Sequence, residues 1–343
     1  MSSRHLLSPR VDPTLLSIVV PAYNEEAILP SLRRAVDEFL STLPCPVEVL
    51  FINDGSSDQT LDLLMDWAAA DPRIKVVGLA RNFGHQAAVT AGLDLAGGDA
   101  IVIIDADLQD PLEVIPEMLE KYREGYDVVY GQRVSREGET AIKRFTAWLF
   151  YRLMRVFIYK DLPSDAGDFR LVSRRCLDAL KSMRETHRFI RGMVAWVGFA
   201  QTSVKYQRRR RLAGDSKYPF WKMVRFAWTA AISFSPAPLR LSLIMGVLVA
   251  LAGLGEGIYA VLRALIIHDT VPGWASAITV VCVIGGAILI SIGILGEYVG
   301  RIFEASKGRP LYIVSNTANF PPTKVQGGQE NGAELEIPVG TSS

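Results

Sequence analysis

The sequence has only three cysteines, Cys45, Cys176 and Cys282, far apart and with no CxxC pair. That argues against a disulfide framework and against a cysteine zinc site, and it fits a reducing compartment. The four histidines are scattered and form no HExxH. Excess charge is also missing: the formal net charge is +1, so bulk charge names no partner, and nucleic acid is not expected. No GxGxxG follows a strand pattern and no GxxxxGK[ST] occurs. Rossmann dinucleotide and P-loop readings therefore lack support. The opening stretch, MSSRHLLSPRVDP, has no apolar h-region, so no cleaved signal peptide is expected. There is no internal repeat.

Long apolar runs, by contrast, are present. One covers about residues 239–267 and a second about 275–299. Each meets the roughly 20 apolar residues needed to cross a bilayer, and both exceed an ordinary core helix. Arg208–Arg211, Lys217, Lys222 and Arg225 precede the first run, and Arg301, Lys307 and Arg309 follow the second. The connecting HDTVPGW has no Lys or Arg. The positive-inside rule then places both termini and the long N-terminal region in the cytoplasm and the connecting loop outside. Glu256 lies mid-span inside Gly253-xxx-Gly257, and Gly296-xxx-Gly300 marks the second span. Such small-residue spacing reads as helix packing within a homo-oligomer.

Residues 15–134 alternate apolar strands with amphipathic helical stretches. Strands are expected at Leu16–Pro21, Val47–Asn53, Ile74–Leu79, Ala100–Asp105 and Asp127–Gly131. Helices are expected near Glu26–Leu40, Asp58–Ala69, Gln86–Ala96 and Leu112–Arg123. Repeated βα units with near-continuous apolar strands mean an α/β fold with a mostly parallel sheet covered on both faces. Ligands of such sheets bind beyond the carboxyl ends of the strands. Residues 140–160 and 218–235 interleave aromatics with Lys and Arg, which suits the headgroup layer and membrane lipids. After Val314 the chain is polar and reads as a disordered tail. The expected order is an extension (1–14), a catalytic domain (15–217), a juxtamembrane helix (218–235), two membrane helices, and a cytoplasmic tail (300–343).

The chemistry concentrates in DADLQDP, Asp105–Pro111. Asp105 and Asp107 are two apart at an expected strand end, and period two sends both to one face. Carboxylates about 4 Å apart repel by roughly 4 kcal/mol at an effective dielectric of 20. A divalent cation removes that repulsion, and oxygen-only ligands favour Mg²⁺ or Mn²⁺ over zinc. Asp110, before Pro111, reads more simply as a helix N-cap. Other strand ends carry polar groups at the same edge: VVPAYNEE (Val19–Glu26), INDGSSDQT (Ile52–Thr60) and ARNFGHQAAVTAG (Ala80–Gly92). Aligned edges make a nucleotide-shaped cleft.

This ordered set, with YGQRVSR (Tyr130–Arg136), GDFRL (Gly167–Leu171) and two spans, resembles the family 2 glycosyltransferases. Within them it is similar to the polyprenyl-phosphate glycosyltransferases, which include dolichyl-phosphate mannose synthases and bacterial glucosyl-carrier synthases. The resemblance covers about residues 15–315. It implies a GT-A-type fold, a nucleotide-sugar donor, a polyprenyl phosphate acceptor and inversion of configuration. Pro21, Tyr23, Glu25 and Asp54 match the family's nucleotide-binding positions. Asp105, Asp107 and Gln109 match its metal and diphosphate motif, and Arg133 matches a basic position near the phosphates. Where many relatives read Asp-Asp-Gly-Ser, this chain has Asn53-Asp54-Gly55-Ser56, and the second Asp is kept.

The phosphate of the acceptor has a second pKa near 6, so near pH 7 little deprotonation remains to be done. Asp165 and Asp168 are candidates to orient the sugar or acceptor, or to take a residual proton. Arg191 and Lys217 are candidate cations for the acceptor's entry, ahead of the Arg208–Arg211 run, which also serves as a topology signal. GDFRL looks more like the glucosyl-carrier enzymes, so UDP-glucose is the first donor expected and GDP-mannose the second. A processive polysaccharide synthase would carry QxxRW and more spans; neither is present. A non-catalytic membrane scaffold would have no use for the Asp pair.

Overall fold

Strands that are apolar at every position need cover on both faces. The computed structural model describes residues 7–134, 166–186, 188–208, 237–266 and 273–320, and it supplies that cover. The strands are β1 (Leu16–Ala22), β2 (Val47–Asn53), β3 (Ile74–Leu79), β4 (Ala100–Ile103), β5 (Val128–Arg133), β6 (Ala166–Ser173), β7 (Gln201–Tyr206) and β8 (Val314–Ala318). They form one sheet in the order β7-β5-β6-β4-β1-β2-β3-β8. The central β4-β1-β2-β3 run is parallel, as expected. β6 enters antiparallel between β4 and β5, and β8 is antiparallel on β3. β5 and β7 therefore point the same way as β1–β4, and the start of β6 lies at their carboxyl edge.

The helices are α1 (Leu29–Leu40), α2 (Thr60–Ala70), α3 (His85–Leu95), α4 (Ile115–Arg123), α5 (Arg174–Ser182) and α6 (Ile190–Val197), with a 3-10 turn at Leu112–Val114. Alternate strand residues feed two cores. Ile18, Val20, Phe51, Val102 and Phe169 pack with Trp67 of α2 and Ile115 of α4. Val19, Leu50, Ile52, Ile103 and Val172 pack with Val89 of α3, Cys176 of α5 and Met193 of α6. This is the mixed, doubly covered sheet of a GT-A-type domain.

The chain divides into two compact units. The larger holds the eight strands given above, β8 included; the smaller holds two long helices, α7 (Ala237–Ile266) and α8 (Trp274–Ser306). At 30 and 33 residues these helices are roughly 45 and 50 Å long. Pro238–Tyr259 and Val283–Ser306 are long and apolar enough to cross a membrane. Apolar side chains stand outward along both, with Leu243 68% and Leu289 71% exposed. The two helices touch each other. A Cβ built on Gly253, Gly257, Gly296 or Gly300 would meet nothing within 4 Å among the described residues.

One expectation is corrected. The tail does not lose structure at Val314: Val314–Ala318 is β8, paired with Val76–Leu79. Its amides find partners on the open edge of β3, which polar composition alone does not reveal. The interface segments 140–160 and 218–235, most of the HDTVPGW loop, the side chain of Glu256 and the end of the tail lie outside the described residues.

Candidate active site

The carboxyl edge gathers the loops after β1, β2, β3 and β4 with the ends of β5 and β7 and the start of β6. The DADLQDP turn begins where β4 stops. β4 pairs with β1 up to Val19↔Ile103, and Ile104 N–H still donates to Val19 O at 3.0 Å. The next rung would need an N–H from Pro21, which has none. The strand therefore ends before Asp105. The two aspartates lie in the turn beyond it, and strand period does not set their direction as expected. Leu108 takes φ +54°, and Gln109 N–H donates to Asp107 Oδ1 at 3.1 Å, closing the turn. Asp107 is buried; Asp105 retains 30% side-chain exposure. Burial, with the carboxylates of Asp168, Asp110 and Asp107 near it, pushes Asp105 up to about 6 against the opposing charge of His85.

Asp168 enters from β6. Its Oδ1 accepts from Arg191 Nε at 2.7 Å and its Oδ2 from Arg191 Nη2 at 3.0 Å. His85, the first residue of α3, places Nε2 3.3 Å from Asp168 Oδ2 and 3.8 Å from Asp105 Oδ1. Burial alone would raise the Asp168 pKa. The His85 contact and the Arg191 guanidinium override it and hold the carboxyl well below its usual range. Burial and the Arg191 charge would lower the His85 pKa, and the Asp168 hydrogen bond with the carboxylates of Asp105 and Asp168 raises it against both. Beneath them Arg170 is fully buried, donates to Gly167 O at 2.9 Å, and is pulled by burial down to about 10.

His85 is placed from the other side by Asp54. Both Asp54 oxygens accept backbone N–H groups, from Phe83 at 2.7 Å and Gly84 at 2.9 Å. Burial raises the Asp54 pKa, and those two amides oppose it. Asp54 thus fastens the β3–α3 loop. The loops after β1 and β2 are knitted together beside it. Ser57 N–H donates to Asn24 Oδ1 at 2.8 Å, Asn24 N–H to Ser56 Oγ at 2.9 Å, and Glu25 N–H to Thr60 Oγ1 at 2.8 Å. Pro21 is buried in β1, and Tyr23 follows it, half-exposed.

Asp110 is not an N-cap. The 3-10 turn that follows has no side-chain cap. Asp110 Oδ1 instead accepts from Tyr206 Oη, with Arg133 and Arg208 at 4.0 Å. Arg208 also stands 3.9 Å from Asp107 Oδ2. The fold thus brings Asp105, Asp107, Asp168, Arg133 and Arg191 to one edge, while Asp165 and Lys217 lie outside the described residues. Sequence reasoning missed His85, Asp110 and Tyr206 as site residues. His85 lies inside the quoted RNFGHQ stretch at a helix start, which was its one available signal; Tyr206 had none.

A hard divalent cation fits this donor set. Asp105 and Asp107 offer oxygen alone. Among the described residues no three His, Cys, Asp or Glu side chains form a metal-holding group. Two protein carboxylates, with the other positions left to water and phosphate oxygens, is the usual Mg²⁺ pattern.

Known proteins resemble this chain along most of its length. Residues 17–181 match Glycosyl transferase family 2, and residues 237–302 match the GtrB C-terminal hairpin. Over 301 residues the chain is 45% identical to the uncharacterized glycosyltransferase YkcC of Bacillus subtilis (strain 168), covering 88% of this chain and 93% of that one. It is 40% identical to the bactoprenol glucosyl transferase of Shigella phage SfV, covering 88% and 98%. Among solved structures, glucosyl-3-phosphoglycerate synthase from Mycobacterium tuberculosis aligns with a TM-score of 0.45 at 19% identity, over 64% of this chain and 79% of that one.

Proposed function

This chain belongs to glycosyl transferase family 2, and from that membership we propose that it transfers glucose from UDP-glucose to a polyprenyl phosphate. The reaction inverts the anomeric centre and takes Mg²⁺ or Mn²⁺. The observation that carries this reading is the mixed charge of the edge: Asp105 with His85, Asp107 with Arg208, Asp110 with Arg133, and Asp168 with Arg191. The name of the phage relative, a bactoprenol glucosyl transferase that the chain matches over 98% of its length, supports both the lipid phosphate and the sugar. The long apolar helices support a membrane acceptor. The sheet unit and both termini then face the cytoplasm at the cell membrane, in a homo-oligomer.

A polyprenyl phosphate oxygen attacks the anomeric carbon, and UDP leaves. A divalent cation held by Asp105 and Asp107, with Gln109 beside them, supplies positive charge to the departing diphosphate when bound. Pro21, Tyr23, Glu25 and Asp54 frame the nucleotide's side of the cleft. Arg133 and Arg191 meet phosphate oxygens, with Lys217 at the acceptor's entry. The acceptor is already largely a dianion near pH 7, its second pKa being about 6. A strong base is therefore unnecessary, and Asp168 in its ion pair is a poor one. Its work is orientation of Arg191 and His85.

The test is direct. Purified protein in lipid vesicles receives undecaprenyl phosphate, Mg²⁺ and labelled UDP-glucose or GDP-mannose. Labelled glycolipid from UDP-glucose is expected. Product from GDP-mannose alone would change the donor. No product from any nucleotide sugar, with lipid still bound, would leave a binding scaffold as the reading.

A further inference from the structure

Two strand ends and one turn meet at a single carboxylate. Tyr206, the last residue of β7, donates its hydroxyl to Asp110 Oδ1. The same hydroxyl oxygen accepts from Arg133 Nε, at the end of β5, at 3.3 Å. Arg133 Nη2 stands 4.0 Å from that Oδ1, and Arg208 Nε reaches 4.0 Å from its own side. Asp110 is 1% exposed, and its Oδ2 is buried with no hydrogen-bond partner among the described residues.

This arrangement is costly for the fold. A buried carboxylate with an idle oxygen opposes stability. Tyr206 packs its ring edge-on against Phe169 at 5.5 Å, a contact that phenylalanine would make equally well. What the hydroxyl and the carboxylate add is the pose of their cationic neighbours. Arg133 is a long side chain with ample rotamer freedom, and a fixed guanidinium needs acceptors behind it. Asp110 and Tyr206 provide them without covering the face turned away.

We propose that Asp110 and Tyr206 are positioning residues that hold Arg133 and Arg208 as a paired guanidinium receptor for a substrate phosphate at the DADLQDP turn. The inference rests on the glycosyl-transfer reading for the identity of that substrate. The phosphate belongs either to the nucleotide donor or to the lipid acceptor, and both have the same chemistry for the two arginines. Asp110 acts through its charge and Tyr206 through its hydroxyl; neither touches the reacting atoms.

Tyr206→Phe is the decisive variant because it keeps the ring. UDP binding is measured by calorimetry, and the KM for undecaprenyl phosphate in the transfer assay. One of the two is expected to weaken about tenfold, the scale of a charge-assisted hydrogen bond, with kcat changed less. Weaker UDP binding assigns the donor; a raised KM for the lipid assigns the acceptor. Asp110→Asn, which keeps an acceptor for Tyr206 but not the charge, should fall between wild type and Asp110→Ala. In an Arg133→Ala background Tyr206→Phe should have no further effect. A lowered melting temperature with both constants unchanged, or full additivity with Arg133→Ala, would overturn the proposal. Because UDP binding needs no turnover, this arm reads out even if the acceptor has been misassigned.

Discussion

Arg191 grips Asp168 with two nitrogens, Nε at 2.7 Å and Nη2 at 3.0 Å. A two-pronged pair of this kind fixes direction as well as charge. It also removes Asp168 as a proton acceptor, since Arg191 and His85 hold its pKa well down despite burial. Asp168→Asn and Arg191→Ala should each lower kcat/KM by about 10²-fold, equal to roughly 2.7 kcal/mol of transition-state stabilisation. The double variant should lose little more than either single one. Above the range in which His85 titrates, the rate of Asp168→Asn should stay level with pH. A rate that climbs with hydroxide there would restore the general-base role.

Asp107→Ala removes the deeper of the two turn carboxylates while the fold keeps β4. Transfer should fall by on the order of 10²–10³, and UDP should lose its affinity gain from Mg²⁺ in calorimetry. Chelation of the wild-type protein should do the same, reversibly on adding Mg²⁺ or Mn²⁺. Metal-independent transfer at the full rate would end the cation assignment.

How much of this was legible depends on where each element finds its partners. β1, β2 and β3 fall within a residue of expectation because Leu16–Ala22, Val47–Asn53 and Ile74–Leu79 are apolar on both faces. β6 was not read as a strand, since AGDFRLVS carries Asp168 and Arg170 inside it. Those charges are tolerated because they sit at the edge where Arg191 and Gly167 answer them. β7 and β8 are short and partly polar, and only neighbours far along the chain make them strands. The aspartate pair was found, but strand period was the wrong reason, because Pro21 stops the ladder first. His85 and Tyr206 became site residues through packing, across 83 and 38 positions from Asp168 (168 − 85 and 206 − 168).

Glu48 gives a pH prediction. It is buried in β2, accepts from Ser17 Oγ at 2.5 Å and Gly97 N–H at 2.6 Å, and pairs with Lys75 at 2.5 Å. Burial alone would raise its pKa; these partners together lower it. A lowered folded pKa means stabilisation that is complete above the unfolded glutamate value of about 4.3 and lost as pH falls through the folded one. Urea unfolding in detergent should show wild type more stable than Glu48→Gln at pH 7, and the gap should close below about pH 4. A gap that stays constant would remove Glu48 from the acid response.

Asn319 secures the returning strand. Its Nδ2 donates to Ala68 O at 2.6 Å and Ile74 O at 2.8 Å, with Asp71 O at 3.3 Å. Its φ of +61° is one that asparagine accepts more readily than most residues. Asn319→Ala should cost about 1–3 kcal/mol from unmet carbonyls, and Asn319→Gly should relieve the backbone but not the carbonyls. Hydrogen exchange in β8 and β3 should rise in both. Unchanged exchange would mean that pairing with β3 alone holds the strand.

Gly55 offers the sharpest separation of fold from site. Its φ is +64°, and a Cβ there would lie 2.3 Å from Arg81 C and 2.5 Å from Asn82 N. Both atoms are backbone, so no side-chain rotation relieves the clash. The β3–α3 loop would have to retreat. That motion draws Phe83 and Gly84 N–H off Asp54 and carries His85 away from Asp105 and Asp168. Gly84 is the control: its φ is +98°, yet a Cβ meets nothing within 4 Å. Gly84→Ala should show backbone strain alone, about 1–3 kcal/mol. Gly55→Ala should lose at least as much stability and, at temperatures where it remains folded, bind UDP more weakly than Gly84→Ala. Equal UDP affinity in the two variants would show that the Asp54 clasp does not set the site.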